Sequence, residues 1–389
     1  MPDPSYHHVL PSREYGGAAE VAFRLMDFAR AETVGQSHLW LPGLGRAWQK
    51  AVDEKLAVHV YQQPNIAEDS RTSMALANLR TGWNWRHYRP GILHLHSAEL
   101  YGGLPVACAI SKLQRVVHIH LEQDEATIRW AFRRLPELVV TCAEFLVENV
   151  RRYLTPVQQD RLRIVSVPNC IDTNRFRPGD KAAAKIALGV PSTRPLVLML
   201  ANLAPHKGQE TAIRAVALLK QQQTPVTCWI AGVDRDANGS YPAHLESLIE
   251  QLNVADCVKL LGYRTDGPEL LRAADLFLLP SKREGLPLSV LEAQASQVPV
   301  LAAPTAGIPE VVQDGQTGYL IPADDAAGYA HRMAELMAQP ALRQSIIENA
   351  YRQVREKHHV DAYCKRIWSL YEELLATHSI GSSSKAALI

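Results

Sequence analysis

The chain has 389 residues, 47% of them hydrophobic and 21% charged, with a formal net charge of +1. That length exceeds one ordinary domain and fits two of about 200 residues, each able to bury a large core. The near-neutral balance argues against a dedicated nucleic-acid binder, which carries a basic excess. The six cysteines are scattered, with no C-x-x-C pair, so they spell no zinc site and read as reduced packing residues. No apolar run approaches the ~18 residues of a membrane span. The opening MPDPSYHHVL lacks the charged-then-apolar layout of a signal peptide. A cytoplasmic protein is expected, with attachment to the cytoplasmic membrane face left open.

In chain order, a first strand over His7 to Pro11 leads through SREYGG into an amphipathic helix with Val21, Ala22, Leu25, Phe28 and Ala29 on one face. Gly16 and Gly17 stand between the two. Strand, paired glycines and helix together let backbone approach a phosphate or sugar closely, though a loop that needs positive φ accounts for the pair equally well. SHLWLPG and AVHVYQQ read as strands, and AEDSRTSMALANL as a helix. RTGWNWRHYRPG is basic and aromatic, with Arg80, Trp83, Trp85, Arg86, Tyr88 and Arg89. It reads as a solvated helix end with its tryptophans packed inward; the competing reading is contact with a membrane face or an acceptor lipid.

ILHLHSAE and RVVHIHLEQ, separated by a helix over 106–113, read as successive parallel strands of a doubly wound sheet. The two-residue period places His94 with His96, and His118 with His120, on one face of each strand. Such imidazoles serve either as metal ligands or as satisfied core residues. Sites in these sheets lie at the carboxyl ends of strands, which favours His96 and His120 over their partners. After a helix–strand–helix stretch from Ala126 to Tyr153, the phrase RLRIVSVPNCIDTNRFRPGD marks the change of domain, with Pro168 and Asn169 suited to a tight connection.

The second half opens LVLMLANLAPHKGQETAIRAVALLK. An apolar strand ends at Asn202, and a loop with Pro205 and Lys207-Gly208 leads into a helix. A lysine there is well placed as a point charge for a diphosphate. The strands VTCWIAG, CVKLLG and ADLFLLPS follow, the last delivering the chain to PSKREGLPLSVLEAQASQVPVLAAPTAGIP. Glu284 and Glu292 lie eight residues apart in this stretch. Gly285, Leu286 and Pro287 make the turn, and Leu288, Leu291, Ala295 and Val298 carry a helical apolar pattern. Glu292 is the only charged side chain between Gly285 and Pro309.

A helix N-terminus offers free N–H groups and partial positive charge, which suits a phosphate. Eight helical residues span roughly 12 Å, comparable to a sugar–diphosphate–ribose unit. One acid can then take a sugar hydroxyl and the other the ribose, with the diphosphate between. The plainer reading has Glu292 complementing the helix dipole and Glu284 in a solvated loop.

The E-x7-E pattern, set in PS-x-x-EG-x(6)-EA, resembles the retaining glycosyltransferases of family 4, the glycosyl transferases group 1, which have the GT-B fold. The resemblance covers about residues 10–375. It implies an α/β fold of two Rossmann-like doubly wound domains facing each other across a cleft: an acceptor-side domain over 1–170 and a nucleotide-sugar domain over 171–355. A last helix over 356–375, with Tyr363, Trp368 and Tyr371 as its docking face, crosses back to the first domain, and residues 376–389 form a disordered tail.

The implied activity is a metal-independent transfer of a sugar, with retention, from a nucleotide-diphosphate donor to a glycan, lipid-linked or small-molecule acceptor. UDP-sugars are the family's most frequent donors, and polysaccharide or glycolipid assembly its common setting. By the same resemblance Gly16, Gly17, Asn202, Lys207, Tyr263, Arg264, Glu284, Gly285, Leu286, Pro287, Leu288, Ser289 and Glu292 line the donor. His120 orients the sugar, while Lys207 and Glu284 act with it in catalysis. No cofactor and no metal are implied, and no nucleic-acid partner. The chain departs from the family pattern at three places: Cys170 and Gln297 stand for usual glycines, and Asn202 for the arginine five residues before the lysine. An asparagine brings no charge, so phosphate neutralisation rests more heavily on Lys207. Two other readings stand beside this one: a catalytically silent sugar-nucleotide or partner-binding module, and a glycoside hydrolase using two carboxylates.

Overall fold

The computed structural model describes residues 3–63, 70–88, 90–191, 194–234 and 240–386. It divides into two compact units, Met1–Asn169 with Asp361–Ile389, and Cys170–Val360.

The first unit is built on a seven-stranded sheet. Its strands are β1 (Ser5–Val9), β2 (Gln36–Leu41), β3 (Ala57–Val60), β4 (Gly91–Leu95), β5 (Gln114–Ile119), β6 (Leu138–Thr141) and β7 (Ile164–Ser166). Their order is β3-β2-β1-β4-β5-β6-β7, and every pairing is parallel. Parallel neighbours need crossovers, and helices supply them, so both faces of β1, β4 and β6 are closed off from water. The order reverses between β1 and β4, and the carboxyl ends of those strands form the switch point.

Helix Gly17–Ala31 follows β1 and buries Val21, Ala22, Leu25 and Ala29, with Phe28 half-buried. Ala22, Phe23 and Met26 from this helix pack with Leu10, Leu39 and Leu41. Helix Arg71–Arg86 takes in most of the basic, aromatic segment, and it splits the tryptophans. Trp85 is fully buried, whereas Trp83 is 56% exposed with the Arg86 guanidinium 5.4 Å from its ring. Two residues on a helix stand about 200° apart, so they cannot share a face; the expectation that both tryptophans pack inward is corrected on that ground. Arg89, and part of the segment before this helix, lie outside the described residues.

The last helix, Val360–Ala386, belongs from Asp361 onward to the first unit. Tyr363, Trp368 and Tyr371 are buried, and the Trp368 ring meets Tyr6 of β1 edge-on at 4.1 Å. Arg163 pairs with Glu373 at 2.6 Å. The helix runs through Ala386, so the expected disordered tail from residue 376 is replaced by continued helix.

The second unit carries a six-stranded parallel sheet of order β10-β9-β8-β11-β12-β13. The strands are β8 (Leu196–Leu200), β9 (Thr227–Ala231), β10 (Val258–Gly262), β11 (Leu276–Leu279), β12 (Val300–Ala302) and β13 (Tyr319–Leu320). Its order reverses between β8 and β11, so these two strands send their following loops to one switch point. The unit closes on itself where Ile171 N–H donates to His358 O at 2.8 Å. All six cysteines are free and buried. Among the described residues no helix is long and apolar enough to cross a membrane.

Candidate functional site

The loop after β8 passes Asn202 and tightens into a 3-10 turn, Pro205–Lys207. Gly208 ends the turn at φ +77° and starts helix Gln209–Gln221. A Cβ on Gly208 would sit 2.0 Å from Pro280 O, at the end of β11. Only glycine allows both the positive φ and this approach of the two loops. Lys282 N–H donates to His206 O at 2.7 Å, and Thr305 Oγ1–H to Ser281 O at 2.8 Å. Gly307 N–H donates to Gly285 O at 2.9 Å. The loops after β8, β11 and β12 are thus stitched into one surface.

On that surface Lys207 Nζ donates to Glu284 Oε1 at 2.7 Å, with the Glu284 side chain 6% exposed and that of Lys207 17% exposed. Glu284 is buried, which departs from the expectation of a solvated loop carboxylate. Pro287 takes the N-cap position of helix Leu288–Ala295, with φ −69° and ψ 123°, and no side chain caps that end. Leu288 and Ser289 therefore begin the helix, half-buried, and present first-turn N–H groups of the kind that bind anions. Glu292 lies on the half-buried side of the same helix, whose Val290, Leu291 and Ala293 go into the core. Asn202 is half-buried, and its carbonyl accepts from Gln209 Nε2 at 2.8 Å.

Tyr263 and Arg264 follow β10, two strands away from β8. Tyr263 is 44% exposed, and Arg264 is held by Asp266 through Nε at 2.8 Å. Gln297, where a glycine was expected by resemblance, adopts φ +59°, the left-handed conformation that explains that preference. Gly232, which the sequence reading did not single out, is as constrained as Gly208: a Cβ there would lie 1.8 Å from Ala201 O. The signal for it was a glycine directly after a strand apolar on both faces.

His120 and the paired glycines belong to the first unit. Gly16 is the N-cap of helix Gly17–Ala31 with φ −166°, an extended conformation, so a need for positive φ does not explain this glycine. Tyr15 OH and Arg24 Nε both donate to Glu20 beside it. His120 closes a set of five histidines on one face of the sheet: His8 of β1, His94 and His96 of β4 and its end, His118 and His120 of β5 and its end. His94 stacks on His96 at 4.3 Å and His118 on His120 at 4.0 Å between ring centroids. His120 Nε2 meets His96 Nδ1 at 3.2 Å. Burial disfavours the imidazolium, holding His120 at a pKa of about 4 and His8 at about 3, with His94, His96 and His118 well below the ordinary value. The rings are therefore neutral at pH 7. His8 was missed in the sequence because pairs were sought within strands; it joins through the register that sets it opposite His94.

Two Rossmann-like parallel-sheet units, one with a lysine–glutamate pair at its switch point, define the GT-B fold. Residues 180–353, within the second unit, match the sequence model of the glycosyl transferases group 1 family. The chain is similar to a D-inositol 3-phosphate glycosyltransferase of Streptomyces scabiei, 30% identical in an alignment of 289 positions that takes in 66% of this chain and 63% of that relative. It thus spans less than two thirds of the length of that relative. Among solved structures it is similar to Anabaena HepE in complex with UDP, with a TM-score of 0.81 and 19% identity over 95% of this chain and 100% of that one. The same protein in complex with UDP-glucose superposes with a TM-score of 0.81 at 20% identity, over 95% and 99% of the two chains.

Proposed function

We propose that this chain is a retaining, metal-independent glycosyltransferase of family 4 that moves a sugar from a UDP-sugar to a hydroxyl of a glycan, glycolipid or small-molecule acceptor. The observation that carries this reading is the Lys207–Glu284 contact at the switch point of the second unit. UDP and UDP-glucose in complexes of the structurally similar HepE, and the glycosyltransferase names of the relatives, support a UDP-sugar donor.

In the reaction the bond from the anomeric carbon to the diphosphate oxygen breaks, and a bond to the acceptor oxygen forms on the same face. The acceptor proton passes to the leaving diphosphate, so no protein nucleophile is needed. Charge develops on the diphosphate, and stabilising it is the main catalytic requirement. An ammonium has three donors; Lys207 spends one on Glu284 and turns the others to the diphosphate. The first-turn N–H groups of Leu288 and Ser289 add the helix-end charge. Glu284 accepts from sugar hydroxyls, and Glu292 from the ribose. Gly285, Leu286 and Pro287 shape the turn between them. Tyr263 and Arg264 border the base. In the first unit His120 orients the sugar, and Gly16 and Gly17 let the main chain come close to it.

The test is a panel of nucleotide sugars incubated with the chain, with donor turnover followed by NMR. Turnover of a UDP-sugar with retained anomeric configuration, unchanged by added Mg2+, is expected. Inverted product overturns the retaining reading. No turnover, together with no thermal shift by millimolar UDP, overturns the enzyme itself.

A further inference from the structure

The five-histidine face holds more imidazole nitrogen than hydrogen bonding uses. His8, His94 and His96 are 0%, 1% and 2% exposed. A neutral imidazole has one N–H and one lone pair, and leaving a buried one unpaired costs about 1–3 kcal/mol. Nε2 of His8 and Nε2 of His94 are both buried without a hydrogen-bond partner. Their other ring nitrogens are occupied: His94 Nδ1 meets Tyr371 OH, and His8 Nδ1 meets His96 Nε2 at 3.3 Å. Ligands about 2.0 Å from a metal in tetrahedral or trigonal geometry stand about 3.3–3.5 Å apart, and the His8–His96 pair already has that separation. One ring nitrogen from each of His8, His94 and His96 lies within 4.8 Å of the others.

We propose that His8, His94 and His96 bind a single transition-metal cation of the copper–zinc class, held inside the first unit by three residues to which the transfer reading gives no role. His94 ligates through Nε2, which leaves Nδ1–H to donate to the Tyr371 hydroxyl. His96 ligates through Nε2, which leaves Nδ1–H to donate to His120 Nε2 at 3.2 Å. Each of these two ligands thus keeps an acceptor for its second N–H, the arrangement that fixes ring orientation at histidine–metal sites. His8 supplies the third nitrogen through Nδ1, 3.3 Å from His96 Nε2, and its Nε2 stays without a hydrogen-bond partner. All three ligands are neutral, so the ion's charge is not cancelled by the ligand set, and burying charge is costly. Copper(I), singly charged and content with three ligands, is favoured over zinc(II), which takes a fourth ligand. The ion would also fix the tautomer of His96 and, through it, that of His120.

The experiment uses the full chain, produced in medium supplemented with copper or with zinc and analysed for metal by mass spectrometry and X-ray absorption. The expected result is one copper per chain, with a first shell of three imidazole nitrogens. One zinc in the same shell supports the site and overturns the preference for copper(I). Metal content should fall at least about tenfold in His8→Gln and His94→Gln and stay stoichiometric in His118→Gln. Absence of metal, or a shell of sulfur or of a single imidazole, overturns the proposal. So does metal lost in His118→Gln but kept in His94→Gln, which would move the ion to the group His96, His118 and His120. X-ray absorption on the unsubstituted chain still tests for a three-imidazole shell where a buried variant fails to fold, and the variants that fold choose between the two histidine groups. UDP-sugar turnover is a separate readout, so failure of the metal site leaves the transfer reading standing.

Discussion

Lys207 Nζ and Glu284 Oε1 lie 2.7 Å apart, and they come from loops separated by 77 residues of sequence. Neither loop alone makes a site. β8 and β11 are hydrogen-bonded neighbours at the centre of the second sheet, and that adjacency brings the ammonium and the carboxylate together. Before a donor arrives, each side chain satisfies the other.

Removing one member of this pair should be worse for stability than removing both. Lys207→Ala strands a nearly buried carboxylate, and breaking a buried pair in this way costs about 3–5 kcal/mol. The Lys207→Ala/Glu284→Ala double variant should regain part of that loss in urea unfolding. UDP-sugar turnover should fall at least about tenfold in each single variant and stay low in the double, because transition-state charge then lacks its partner. Full turnover in both single variants would remove the pair from the mechanism.

Gly208→Ala tests the seam between the loops. The new Cβ must clear Pro280 O from 2.0 Å, at a φ of +77°. Stability should drop by more than about 1 kcal/mol. Turnover should fall further than stability explains, since a shift of about 1 Å at a site can cost about 100-fold. Gly267→Ala, which meets nothing within 4 Å, is the control and should melt within a degree or so of the parent.

Asn202→Arg should tighten UDP binding. The contact recorded at this position is made by the main-chain carbonyl, which a substitution leaves in place. An arginine beside a diphosphate adds a charge-assisted hydrogen bond worth about 1.5–3 kcal/mol. Calorimetric titration should show about tenfold higher affinity, with the gain shrinking at high salt. Equal affinity would place the diphosphate elsewhere.

The metal-free chain should be acid-sensitive well above the carboxylate range. His8 and His120 are held at about 3 and about 4, against an ordinary value of 6.5, and His94, His96 and His118 lie well below it, all chiefly by burial. Below pH 6.5 the unfolded chain takes up protons that the folded chain refuses. Stability is therefore complete above that pH and is lost as pH falls towards the folded values, by at most about 1.4 kcal/mol per pH unit for each histidine. Urea midpoints measured from pH 7.5 to 5 should fall steeply. A flat profile over that interval would mean that the cluster is hydrated or already protonated.

Much of the candidate site was legible in the sequence because it is local. Apolar strands ending at polar turns, Lys207 before a glycine, Glu284 before the G-L-P turn and the eight-residue step to Glu292 are all short-range patterns, and period alone assigns them to strand ends and a helix start. The H-x-H spacing likewise showed which histidines share a face. Strand order is not local. It follows from which crossovers pack their helices most completely, and it decided that Lys207 meets Glu284 and that His8 of β1 joins the histidines of β4 and β5. Burial is not local either: the depth of Glu284, the outward turn of Trp83 against the inward turn of Trp85, and the contact of Tyr371 with His94 depend on what the rest of the chain lays over each residue. Residue type set what each group can do, and the packing of distant segments set which groups do it together.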